Sequence, residues 1–166
     1  MKVLGVDPGT GATGYGVVET GERGSFRLVE CGVIRTASRS PLPTRLHQVY
    51  AGLVELIARH RPDLLAVEEA FHAKNARTTL VLGHARGVIL LAAESAGVTI
   101  AEYSPAVIKR TVTGRGAAHK PQVGFMVAEL LRLRHPPQPA DAADGVAVAL
   151  THLLRGRTLA AVGQRQ

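Results

Sequence analysis

The sequence predicts an α/β fold on a five-stranded mixed sheet flanked by helices. Three observations carry that expectation. The first 35 residues hold three strand-like runs joined by short links, the apolar period then changes from two to three-and-four, and helix and strand signals alternate thereafter. With 166 residues, 46% hydrophobic and 20% charged, the chain has enough apolar material for one core and is not the composition of a disordered protein. A single domain over 1–155 is expected, followed by a flexible tail over 156–166.

Residues 2–7 (K-V-L-G-V-D) read as a short buried strand, the run P-G-T-G as a turn, and 15–19 as a second strand. Residues 26–35 form the third, and the short links make the three an antiparallel meander. From 44 to 59 the apolar residues Leu46, Val49, Tyr50, Leu53, Leu56 and Ile57 recur at helical spacing, with Pro41 and Pro43 ahead of them. A strand at 63–68, a long helix at 75–96 stopped by Gly97, and a strand at 98–103 follow; this alternation adds two parallel strands to the meander. A short helix at 105–111, a Gly-rich basic loop at 114–119 and helices at 121–133 and 141–154 complete the chain, with the Pro-rich 135–139 as a stiff connector.

Twenty Lys and Arg against 13 Asp and Glu give a formal charge of +7. Residues 1–71 are balanced, eight bases against eight acids, whereas 72–134 hold nine bases and three acids. Between Glu102 and Glu129 there is no acid, while Lys109, Arg110, Arg115 and Lys120 all fall there, a distribution suited to a polyanion such as nucleic acid. Cys31 is the single cysteine, which excludes an internal disulfide, and no Cys/His set has zinc-site spacing. The cytoplasm is the expected compartment. An acid at residue 7 comes too early for a secretory apolar region, and the most apolar stretch, 80–93, is broken by His84 and Arg86, so no membrane segment is expected.

G-T-G-A-T-G at 9–14 satisfies the dinucleotide-binding pattern G-x-G-x-x-G, but it leads into a strand instead of a helix, and no clean strand-end acid lies about 20 residues on. No G-K-[ST] occurs, so there is no P-loop. An actin-like ATPase would place an acid before such a turn, but it needs two related halves, more than this length supplies.

Asp7 ends the first strand, and Glu68 ends the fourth beside Glu69. Neighbours on a strand face opposite sides, so at most one of that pair can join Asp7; the alternation leaves open which. Asp141 and Asp144, three apart at a helix start, share one helical face, where capping is the ordinary alternative role. If strand ends and helix start meet at one sheet edge, the carboxylates gather. Like charges at that range need a counter-ion, and two divalent cations neutralise four carboxylates. Two such ions form a clamp for in-line phosphodiester hydrolysis.

D-P-G-T-G-A-T-G-Y-G-V at 7–17, A-V-E-E-A-F-H-A-K-N at 66–75, L-G-H-A-R-G at 82–87, V-I-K-R-T-V at 107–112 and A-D-A-A-D-G-V-A-V-A-L-T-H at 140–152 resemble the RuvC crossover junction endodeoxyribonucleases. The resemblance spans residues 1 to about 155 and implies a ribonuclease-H-like fold, with paired symmetric cutting of four-way (Holliday) DNA junctions in recombination and repair. It makes Asp7, Glu68, Asp141 and Asp144 the metal-binding catalytic acids, choosing Glu68 over Glu69, with two Mg²⁺ per site and Mn²⁺ as a substitute. It also places Lys109 and Lys120 near the scissile phosphate, gives Phe71 a base-stacking or wedging role, and leaves Lys74, Arg77, Arg110 and Arg115 as DNA contacts. A homodimer and the branch-migration proteins RuvA and RuvB are the implied partners. Gly145, after Asp144, is a departure expected to loosen the helical turn that carries that acid. Two other readings are a related nuclease acting on ribosomal RNA precursors and a junction-binding protein without catalysis.

Overall fold

The structure, a computed structural model, describes residues 1–69 and 76–163. Strands β1 (Lys2–Asp7), β2 (Ala12–Thr20) and β3 (Phe26–Arg35) form the antiparallel meander, and β4 (Leu64–Glu68) and β5 (Thr99–Tyr103) add in parallel. Their spatial order is β3-β2-β1-β4-β5, the five-stranded mixed sheet the sequence predicts. β2 begins at Ala12, ahead of the expected residue 15, because its ladder with β1 reaches the pair Asp7–Gly14 and its ladder with β3 reaches Ala12–Arg35.

Five helices cover the sheet: α1 (Leu42–His60), α2 (Ala76–Ser95), α3 (Pro105–Thr113), α4 (Lys120–Leu131) and α5 (Ala140–Gly163). Pro43 is accommodated in the first turn of α1, where its missing N–H has no helical acceptor to serve. α4 starts one residue earlier than expected, with Gln122 Oε1 accepting from the His119 N–H at 2.9 Å. It ends at Leu131 instead of residue 133, because Arg132 turns left-handed (φ 53°) and its N–H closes on the carbonyls of Ala128 and Glu129. α5 continues past the expected end at 154, so the segment expected as a flexible tail is helical as far as Gly163. Gly156 alone, worth about 1 kcal/mol against helix, does not stop a run of Leu and Ala. Arg157 also ties this helix to the β2–β3 hairpin, with Nη1 donating to Gly24 O at 2.9 Å and the guanidinium 5.3 Å from the centre of the Phe26 ring.

The period-two alternation of the strands sorts the core into two layers. Leu4, Val6, Leu65 and Val67 pack with Val49, Leu53, Ile89 and Ala92 of α1 and α2. Val3, Leu64 and Ala66 face the opposite way, toward Ile108, Val127, Val146 and Leu150 of α3, α4 and α5. On this second side α5 lies against β1 and β2 almost backbone to backbone. A Cβ on Gly14 would run into the main chain of Asp141, and one on Gly145 would sit 2.5 Å from Tyr15 Cα. Gly145 is therefore not a weak point in the helix, as expected from propensity, but the residue that lets α5 touch the sheet. Of the glycines that imitate a dinucleotide fingerprint, Gly14 serves the same contact, while a Cβ on Gly9 would meet Ala12 of the turn itself and one on Gly11 would meet open space.

Candidate active site

Alternation also decides between Glu68 and Glu69. Glu68 continues the Leu64, Ala66 side of β4, and Asp7 continues the Val3, Gly5 side of β1, both toward α5. The strands are parallel neighbours, with both acids one step beyond the Val6–Val67 pair, so the two carboxylates leave the same sheet edge side by side. α5 delivers Asp144 to them, because Gly14, the register partner of Asp7, carries the backbone of Asp141 directly above it.

Asp7, Glu68, Asp144, Lys109 and Lys120 line one pocket of about 180 Å³, walled by Pro105, Ile108, Val123 and Ala147. Burial, then the charges of Glu68 and Asp144, push the Asp7 carboxyl up from 3.8 to about 8, Lys120 pulling the other way and Asp141 adding to the rise. Burial and Asp144 raise Glu68 from 4.5 to about 7 against the pull of Lys120 and Lys109. Lys120 Nζ donates to Asp144 Oδ2 at 2.6 Å, and this bond holds the lysine more firmly protonated than usual. Asp141 does not line the pocket and acts on it through its charge. Among the described residues no three His, Cys, Asp or Glu side chains already meet at the spacing that holds an ion. The donor set nonetheless fits a hard divalent cation: oxygen ligands only, gathered at one sheet edge, two of them with pKa values raised by burial and by neighbouring carboxylates.

The turn after Asp7 is tied down by residues that sequence reading did not single out. Fully buried Thr13 donates through Oγ1 to Gly9 O at 2.5 Å, Arg45 Nε donates to Thr10 O at 3.0 Å, Thr36 Oγ1 also donates to Thr10 O, and the Thr36 N–H bonds Gly11 O at 3.1 Å. These bonds come from β2, α1 and the end of β3. No local motif in the chain announces them; only the meander brings Thr36 and Arg45 to this turn. Of the expected DNA contacts, Arg110 and Arg115 are exposed on α3 and the loop after it, and Arg77 is exposed in the first turn of α2; none lines the acidic pocket. Arg86 pairs with Glu102 of β5. Phe71 and Lys74 lie outside the described residues.

Carboxylates at the edge of a mixed sheet, faced by lysines and set in a basic chain, define a nuclease that hydrolyses phosphodiester bonds. Residues 3–152 match the family model described as "Crossover junction endodeoxyribonuclease RuvC". A protein of that name from Pelotomaculum thermopropionicum is 52% identical over 153 residues, covering 92% of each chain. The solved structure of Thermus thermophilus RuvC superposes with a TM-score of 0.87 at 36% identity, covering 95% of this chain and 96% of that one. The T. thermophilus RuvC in complex with Holliday junction substrate gives 0.86 at 34% identity over the same shares. The chain belongs to the RuvC family of crossover junction endodeoxyribonucleases, with the ribonuclease-H-like fold expected of it.

Proposed function

We propose that this protein resolves four-way DNA junctions by paired, symmetric, metal-dependent nicks. The observation that carries the reading is the convergence of Asp7, Glu68 and Asp144 in one pocket with Lys109 and Lys120 on its wall. Asp7, Glu68, Asp141 and Asp144 would hold two Mg²⁺, with Mn²⁺ as a substitute. Bound there, such ions would supply a lowered pKa for the attacking water and a counter-charge for the departing 3′ oxygen. The chain's own contribution is placement. Strand ends fix Asp7 and Glu68, the close seat of α5 fixes Asp144, and Ile108, Val123 and Ala147 make one wall apolar. Lys109 and Lys120 neutralise the phosphate being cut and its neighbour, and Phe71, Lys74, Arg77, Arg110 and Arg115 bind the DNA around it. RuvA and RuvB are its proposed partners and the cytoplasm its compartment; no helix among the described residues is long and apolar enough to cross a membrane. The 1–155 segment acts as one nuclease domain.

A labelled synthetic four-way junction incubated with the protein and Mg²⁺ tests this directly. Paired symmetric nicks that vanish on chelation are expected. Junction binding without cutting, or faster cleavage of structured RNA, would overturn the reading.

Cutting two opposed strands in concert calls for a two-fold dimer, and α2 supports one. Leu80 and Leu91 are 66% and 57% exposed, and together with Gly83 and Gly87, whose Cβ positions meet no atom within 4 Å, they form one stripe along the helix. Replacing Leu91 by Arg is expected to convert the dimer to monomer in sedimentation and to uncouple the two nicks. A dimer of undiminished affinity would assign the interface elsewhere.

A further inference from the structure

A second cavity, of about 360 Å³, lies beside the acidic pocket and is lined by Thr113, Arg115, Ala118, Pro121, Gln122, Phe125 and Met126. We propose that it is a nucleotide subsite, in which a base of the junction stacks on Phe125 while Arg115 holds the adjoining phosphate. The proposal rests on the endonuclease reading above and adds a place where the strand is gripped beyond the cutting point.

Position on either side of one helix is the first argument. The two cavities border the start of α4 from opposite faces, Lys120 and Val123 facing the acids while Pro121, Gln122 and Phe125 face the second cavity. A strand that leaves the acids over the N-terminal end of α4 would pass Phe125 on the far face, about 7.5 Å along the helix axis from Lys120. Charge is the second. No acid lines the cavity, and none occurs in the sequence between Glu102 and Glu129, so its field attracts phosphate. Glu129, exposed one turn beyond Phe125 on α4, marks where that favourable surface stops.

Chemistry of the lining is the third. Phe125 is 58% exposed, and among the described residues it is the aromatic one of the exposed large hydrophobic side chains. An exposed ring flanked by Arg is the construction of a stacking platform for single-stranded bases. Gln122 has its carbonyl oxygen engaged by the His119 N–H, which turns its amide NH₂ into the group that can donate to a base edge or a phosphate. At a branch point pairing is interrupted, so a base there leaves the helical stack at reduced cost.

The test uses full-length protein and a four-way junction carrying 2-aminopurine, a fluorescent adenine analogue quenched by stacking, at successive positions beside the cut. Junction affinity by anisotropy and single-turnover cleavage are read in parallel for the wild type, Phe125→Ala, Phe125→Leu and Phe125→Trp. Removal of one stacked base is expected to weaken junction binding about tenfold in Phe125→Ala. Phe125→Leu should fail equally, since it keeps apolar bulk without a π face, and Phe125→Trp should restore binding. One 2-aminopurine position should lose its quenching in the Ala and Leu variants alone. Wild-type affinity in the Ala variant, or full function in the Leu variant, overturns the subsite; so does loss of self-association on Phe125→Ala with junction binding per protomer unchanged. Failure of the underlying reading looks different: the wild type itself would not cut.

Discussion

Asp7→Asn is expected to abolish junction cleavage, leave junction binding largely intact, and make the metal-free protein more stable. The first two outcomes follow from position. Asp7 faces the pocket from a strand end, where a carboxamide of equal shape keeps the fold but loses the charge needed to hold a cation. The third follows from linkage. With its pKa raised from 3.8 to about 8, the Asp7 carboxyl favours the folded state fully only below pH about 4, and that contribution fades as the pH climbs toward 8. A tenfold difference in proton affinity between the folded and unfolded chain is worth about 1.4 kcal/mol. The asparagine variant should therefore gain on the wild type between pH 5 and pH 8 by about 3 kcal/mol in denaturant titrations under chelation. Mg²⁺ should raise the wild-type melting temperature more at pH 8 than at pH 5 and do so far less in Asp7→Asn. An unchanged stability difference across that pH range would show that Asp7 bears no buried charge, and loss of binding together with cleavage would make it a residue of the fold.

Gly145→Ala is expected to destabilise the protein and to slow cleavage together. On helix propensity alone the substitution gains about 1 kcal/mol. Against that, the new Cβ would stand 2.5 to 2.7 Å from Cα, N and C of Tyr15, main-chain atoms that cannot swing aside. The helix must lift from the sheet, and overpacking of this kind costs about 1–3 kcal/mol or more. A net fall in melting temperature of several degrees is expected. Since Asp144 is the preceding residue, lifting α5 also displaces its carboxylate, and a misplacement of about 1 Å lowers the rate about a hundredfold. Gly156→Ala on the same helix, with open space around it, serves as the control and should be neutral or slightly stabilising with full cleavage. If Gly145→Ala proved as harmless as Gly156→Ala, the close seat of α5 would not be what positions the acid.

The clamp on the turn after Asp7 has no counterpart among the readable motifs. Thr36 and Arg45 are 29 and 38 positions along from Asp7, in segments that read as a strand end and an amphipathic helix. Their role exists only because β3 returns beside β2 and α1 starts over the same edge. Similarly, propensity gave the wrong sign for Gly145, since a scale built on isolated helices contains no sheet for the helix to touch.

Amino-acid order by itself determined which segments become strands and helices, the mixed sheet, and the charge of the middle third. All of these are legible because periodicity, turn residues and composition are local properties of the chain. Tertiary structure decided that Glu68 and not Glu69 enters the pocket with Asp7, that Asp144 binds Lys120 while Asp141 does not line the pocket, and that Phe125 opens onto a second cavity across α4 from the acids. Those outcomes depend on which face each element turns toward its neighbour and how closely the backbones meet, distances that no linear pattern encodes.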